Sequence, residues 1–411
     1  MTRPGPGRPG LVRWSGVTWQ AAHLGLGGMC MVGLWVVLAR TWGPAQFGRF
    51  TWLVAFASTW AIVFDLGLDV VITRLVASGA AGAPRRLLPV KAAAVVLGLA
   101  GALGLGSWLT PGSLDVLTLL LAGMVLFSCA NFVNGYLRGI ERLDVEARIG
   151  LLQKVLFAGA AGAGALWLEA DMRWMAGAYL GSQALALCLT LYCGLRLGFD
   201  LDADSHGRFR QRLTESLRLW GVALLTFLAL RLDLLLLQRL GGDVAAGQYA
   251  AAFRMIEGFT LLGTAFVTGL FPRLAASVAS TGDTGDLLRR ASWLTSLAGL
   301  AAGAGLFLAA PRLMPALYGP GYKASVLALQ GLGLVLPVLY LGQVLTQAHL
   351  ARVRPGVVVL CLAAALAVDA AVAAAAIPVL HVFGAVVSFA AREAVLAVLL
   401  AAALWAGRRT A

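Results

Sequence analysis

The chain has 411 residues, 60% of them hydrophobic and 12% charged, with a formal net charge of +13 and a mean hydropathy of +0.84. Apolar runs of this length with so little charge exclude a soluble globular domain and point to an all-α polytopic membrane protein. The basic balance must then be tested against topology before any nucleic-acid partner is considered.

Residues 1–16, "MTRPGPGRPGLVRW" and the two that follow, read as a short basic tail. Twelve apolar segments follow, at 17–39, 51–73, 87–109, 114–137, 149–168, 173–195, 217–238, 246–271, 291–310, 324–350, 356–378 and 382–406. Each is long enough to cross the hydrocarbon core as a helix. The first is too long for a signal-peptide core and is expected to stay in place. Residues 17–197 are expected to form an N-lobe of helices 1–6, residues 198–216 a linker, and residues 217–411 a C-lobe of helices 7–12.

With the N-terminus inside, 21 of the 32 lysines and arginines fall on the cytoplasmic side, among them Arg74, Lys91, Arg138 and Arg273. Six fall outside, including Arg40, Arg49 and Arg239, and five lie within spans. This asymmetry follows the positive-inside rule, with both termini cytoplasmic. It accounts for the net charge with no nucleic-acid partner and leaves contact with anionic membrane lipids as a secondary role.

The five cysteines all lie within spans and read as free thiols. No phosphate-binding G-x-x-x-x-G-K-[ST] loop occurs, and no aqueous segment could house a catalytic domain. The linker's "DLDAD" starts like a calcium loop, but Ser205 and Gln211 stand where glycine and glutamate are required. No cofactor and no catalytic residue is assigned. A coupling cation or proton is the only small ion that the charges below invite.

"LARTWGPAQFGRF" at 38–50 is echoed by "LQRLGGDVAAGQY" at 237–249. Leu38, Arg40, Gly43, Gly48 and Phe50 fall on Leu237, Arg239, Gly242, Gly247 and Tyr249 at one offset. Arg74, Leu75, Ala77 and Ser78 fall on Arg273, Leu274, Ala276 and Ser277 at the same offset. Six spans separate the copies, so both enter the membrane in the same direction. Two six-helix lobes related by a parallel internal repeat are expected.

These residues also carry a resemblance. "LARTWGPAQFGRFTWLVAF", "FDLGLDVVITRLVAS", "LRGIERLDVEA", "YAAAFRMIEGFTLLGTAFVTGLFPRLA" and "ALYGPGYKASVLALQGL" resemble, in order, segments of the polysaccharide (O-antigen) flippase branch of the multidrug/oligosaccharidyl-lipid/polysaccharide exporter superfamily. The resemblance covers about residues 15–355. It implies two lobes, alternating access, a polyprenyl-diphosphate-linked oligosaccharide as cargo, and a bacterial cytoplasmic (inner) membrane. It leaves a drug or metabolite exporter as a second reading. It also allows partnership with other polysaccharide-assembly membrane proteins. A polymerase or ligase would need a large outer loop with Arg and His, and only His381 lies on that side.

Charges within spans are costly and are functional candidates by default. Asp65 and Asp69 stand at i, i+4 in helix 2, and so on one face. Arg231 and Asp233 point different ways from helix 7, and Arg254 can pair with Glu257 at i, i+3. Asp369 is alone in helix 11, and Arg392 and Glu393 are adjacent in helix 12. Arg231 and Arg254 are the candidates for holding a diphosphate, because arginine stays charged and offers a fork. Arg74 and Arg273 could receive it first. Asp65, Asp69, Asp233, Glu257 and Asp369 are the candidates for a coupling ion or proton. Asp233 with Asp369, and Ser388 as the helix 12 ligand, is similar to a cation site of the lipid II flippase branch.

Overall fold

The computed structural model describes residues 14–78, 84–200, 209–281, 285–352 and 355–409. Among them there is no strand. The helices are α1 (Trp14–Asp65), α2 (Leu68–Ala77), α3 (Pro84–Leu109), α4 (Leu114–Gly139), α5 (Leu143–Trp167) and α6 (Met172–Arg196). Then come α7 (Phe209–Ala229), α8 (Leu232–Thr281), α9 (Gly285–Tyr318), α10 (Lys323–Ala351), α11 (Pro355–Leu380) and α12 (Val382–Arg409). Nine candidate membrane spans are found by length and hydropathy among the described residues.

Predicted spans 1 and 2 are joined in α1, which changes course at Gly43 (φ 69°, ψ 177°). The chain reverses there. Trp35 and Phe50 lie with ring centroids 6.1 Å apart, whereas an unbroken helix would hold them about 22 Å apart. α8 does the same at Gly242 (φ 84°, ψ 175°), the residue matched to Gly43 by the repeat. A side chain at φ near +70° to +80° would be strained, which explains glycine at both tips. Pro44, with its preset φ, restarts the first helix.

The repeat is physical as well as sequential. A Cβ on Gly48 would run into the Asp243 carbonyl and the Gly247 nitrogen, and one on Gly247 into the Pro44 carbonyl and the Gly48 nitrogen. Gly48 matches Gly247 and Pro44 matches Asp243, so the contact maps onto itself under the repeat.

Two predicted spans are broken. Span 2 stops at Asp65 and resumes at Leu68, with Leu66 (φ 45°) and Gly67 (φ 67°) between. Span 7 stops at Ala229 and resumes at Leu232, where the amides of Leu230 and Arg231 bond back three residues rather than four. Neither break contains proline. Residues 209–216, expected as linker, already belong to α7, and α9 runs to Tyr318 through Pro311 and Pro315.

The chain forms two compact units. The first comprises residues 1–34 and 60–217, the second residues 35–59 and 218–411. In the first, Leu68, Val71, Ile72 and Leu75 of α2 pack on Leu87, Phe132, Val133 and Phe199. In the second, α9 and α10 approach closely where Gly299 and Gly303 face the backbone of Leu336 and Gly333. Lipid tails are as apolar as leucine, so helices in a membrane gain by close packing of small residues rather than by leaving water.

Candidate functional site

The charged residues of the spans gather in separate clusters, and the two helix breaks decide which partners they find. In the first unit Asp65 ends α1. It pairs with Lys91 of α3 at 2.8 Å, and Ser128 and Asn131 of α4 donate to it. Lys91, counted among the cytoplasmic-side cations, is buried against this carboxylate. Asp69, beyond the break, pairs with Arg138 at 3.0 Å, and Arg138 also grips Glu146 at 2.6 Å. The expectation that Asp65 and Asp69 share one helical face fails, because Leu66 and Gly67 interrupt the helix between them. The two carboxylates are held by different cations.

In the second unit, Arg231 and Arg254 converge on one carboxylate. Arg254 Nη1 lies 2.7 Å from Glu257 Oε2, and Arg231 Nη1 lies 3.0 Å from Glu257 Oε1. The i, i+3 pairing of Arg254 with Glu257 was legible in the sequence; the arrival of Arg231 was not, since it depends on the break at 230–231. Arg254 also stacks over Trp35, 4.3 Å from the ring centroid, and Arg231 lies 5.6 Å over Phe227. Arg231 Nε and the Tyr318 hydroxyl are buried with no hydrogen-bond partner among the described residues. The three ionic side chains keep 19%, 16% and 27% exposure for Arg231, Arg254 and Glu257, so the cluster is reachable. Two guanidiniums against one carboxylate leave one positive charge in excess.

The other cluster is sealed. Arg392, 1% exposed, reaches Asp233 Oδ1 and Asp369 Oδ2, each at 3.3 Å through the same Nη1. That nitrogen also donates to the Ala229 carbonyl at the end of α7. Arg392 Nη2 pairs with Glu393 at 3.0 Å, and the guanidinium lies over Phe389. Tyr249 donates to Asp233 Oδ2 at 2.6 Å. Asp233 and Asp369 therefore do converge, as the cation-site expectation required, but the positive charge they face is Arg392. Ser388 lies beside Asp369, yet its hydroxyl donates to Ala385 O at 3.0 Å. Asp369 Oδ1 has no partner among the described residues. Sequence reasoning placed Arg392 in a span without a role; its partners come from α7, α8 and α11 and have no spacing that a sequence displays.

Arg74 is exposed on α2 and belongs to neither cluster. The side chain of Arg273 lies outside the described residues. No group of three His, Cys, Asp or Glu suited to a metal ion occurs among the described residues.

The family profile described as "Polysaccharide biosynthesis protein" matches residues 14–278. The chain belongs to this family. The chain also shares its fold with transporters of the multidrug/oligosaccharidyl-lipid/polysaccharide superfamily. A multidrug resistance MATE family transporter in an inward-facing conformation matches with a TM-score of 0.75 at 17% identity, covering 96% of this chain and 97% of the other. The lipid II flippase MurJ in an inward closed conformation matches with a TM-score of 0.72 at 9% identity, covering 94% and 87%. A mutant of the Vibrio cholerae MATE transporter VcmN matches with a TM-score of 0.62 at 14% identity, covering 97% and 99%. At these identities the likeness concerns the fold. No curated protein sequence matches the chain.

Proposed function

We propose that this protein is a flippase that turns a polyprenyl-diphosphate-linked oligosaccharide from the cytoplasmic to the outer leaflet by alternating access. The glycan serves a surface polysaccharide such as O-antigen, and both termini lie in the cytoplasm of a bacterium with this chain in its inner membrane. The observation that carries the reading is the convergence of Arg231 and Arg254 on Glu257, with Arg231 Nε and Tyr318 Oη left without partners beside them. A diphosphate crossing a low-dielectric medium needs fixed cations with several donors, and two arginine forks supply them. In this reading Glu257 is a placeholder anion. It keeps the two guanidiniums from repelling each other when no cargo is bound and yields to the diphosphate when it arrives. Arg74 and Arg273 are the proposed first contacts, and Asp65, Asp69 and Glu257 are the carboxylates proposed to answer to a proton. A cationic drug would meet two guanidiniums of its own sign, which favours an anionic cargo. The family and the flippase fold support transport rather than polymerase or ligase chemistry.

The test is surface polysaccharide in cells carrying Arg254→Ala, Arg254→Lys and the Arg254→Ala/Glu257→Ala pair, with protein level measured. The reading expects no export from either alanine variant and partial export from the lysine variant. Full export by the double variant would overturn it, because a purely structural ion pair is dispensable once both partners are gone.

A further inference from the structure

We infer that Arg392 is a tethered counter-cation: its guanidinium fills the position between Asp233 and Asp369 that a free alkali cation would otherwise take, and it staples the break in helix 7 that presents Arg231.

The first half rests on charge and enclosure. Asp233, Asp369 and Arg392 are 1%, 0% and 1% exposed, so water does not screen them. Two buried carboxylates in one place demand a cation, and Arg392 Nη1 reaches both. A second, mobile cation would have to enter a space with almost no exposed surface that the guanidinium already fills. Stripped of Arg392, the node would leave Asp233 Oδ1, Asp369 Oδ2, the Ala229 carbonyl and Glu393 Oε1 around the space it vacates. Such a set of oxygens suits a hard cation. Asp369 Oδ1 already lacks a donor.

The second half rests on position. A helix end leaves its last carbonyls without helical donors. Ala229 is the last residue of α7, and Arg392 donates to its carbonyl. Asp233 lies in the first turn of α8, and Arg392 holds it from the same nitrogen. One guanidinium thus grips both sides of the two-residue gap, Leu230 and Arg231, and ties both to α11 through Asp369. Arg231 lies inside that gap and reaches Glu257 from it. Arg392 is therefore a positioning residue for Arg231. This last step rests on the cargo reading above; the counter-cation step does not.

The experiment uses purified full-length protein in detergent at fixed ionic strength, with choline chloride replaced in turn by sodium, potassium or guanidinium chloride at millimolar concentration. Urea, which has guanidinium's shape without its charge, is the control. The thermal unfolding midpoint of the wild-type protein should ignore all of them. That of Arg392→Ala should fall by several degrees and recover with guanidinium and with sodium but not with urea. A wild-type midpoint that rises selectively with sodium would overturn the proposal, as would an Arg392→Ala protein indifferent to guanidinium. If Arg392→Ala fails to accumulate, the neutral variant Arg392→Leu/Asp233→Asn/Asp369→Asn/Glu393→Gln replaces it. It should fold and ignore every ion, and its failure to fold would show that charge balance is not what Arg392 supplies. Inorganic pyrophosphate binding then tests the staple: the neutral variant, with Arg231 intact, should bind at least tenfold more weakly than wild type, and equal binding would overturn the staple. If the wild-type protein itself does not bind pyrophosphate, the cargo reading fails while the cation results still decide the counter-cation.

Discussion

The second unit holds two arginine clusters built from the same residue types and joined by the same two-residue gap, and they differ in exposure and in sign. Around Arg392, one guanidinium serves Asp233 and Asp369, both sealed, and Glu393 at the edge. Around Glu257, one carboxylate serves two guanidiniums that remain reachable. An ion cluster sealed from solvent must satisfy itself, because nothing else can. One left partly open with a surplus cation and donors unpaired among the described residues is what the cargo proposal rests on. The lesson is that an intramembrane charge is assigned a role by what surrounds it, not by its depth alone.

The largest expected effect breaks the sealed cluster. Arg392→Ala leaves two buried carboxylates without a counter-charge, a loss of about 3–5 kcal/mol for a buried pair deprived of one partner. The unfolding midpoint in detergent should drop, and the amount of protein in the membrane with it. A midpoint equal to wild type would erase the distinction between the clusters.

Next comes Arg254→Ala, where stability and function should separate. Arg231 stays paired with Glu257 when Arg254 is lost, so no carboxylate is left without a cation, and protein level should hold while surface polysaccharide disappears. Loss of protein instead of loss of export would make the open cluster structural as well.

Arg231→Lys should have a smaller effect. The charge stays and the fork goes, so export should fall partially, and pyrophosphate affinity should fall less than in Arg231→Ala. Equal losses in the two variants would mean that fork geometry, not charge, does the holding.

The smallest effect sets the baseline. Arg289 and Asp286 pair at 3.1 Å on the surface, 71% and 78% exposed. Arg289→Ala should change neither midpoint nor export measurably, since water screens such a pair. A large loss there would undercut any ranking of ion pairs by exposure.

Much of this was open to reading in the chain itself. Span positions follow from hydropathy, because every crossing segment must be apolar for about 20 residues. The doubled tips at Gly43 and Gly242 follow from a backbone requirement that only glycine meets at no cost, and the pairing of Arg254 with Glu257 follows from helical spacing.

Other features were decided only when the helices came together. The break at 66–67 carries Gly67 at φ 67° as its one local sign, and the break at 230–231 contains neither proline nor glycine, so no local rule marks it. A helix end inside a span is tolerated only when other groups satisfy the freed backbone, and for α7 that group is Arg392, far along the chain. Likewise Lys91 reads only as one of the cytoplasmic-side cations until Asp65, on another helix, supplies the charge that lets it be buried. Local sequence sets where a segment can cross the membrane. Which charges meet inside it depends on remote partners, because in a low dielectric an ion goes where its counter-ion is.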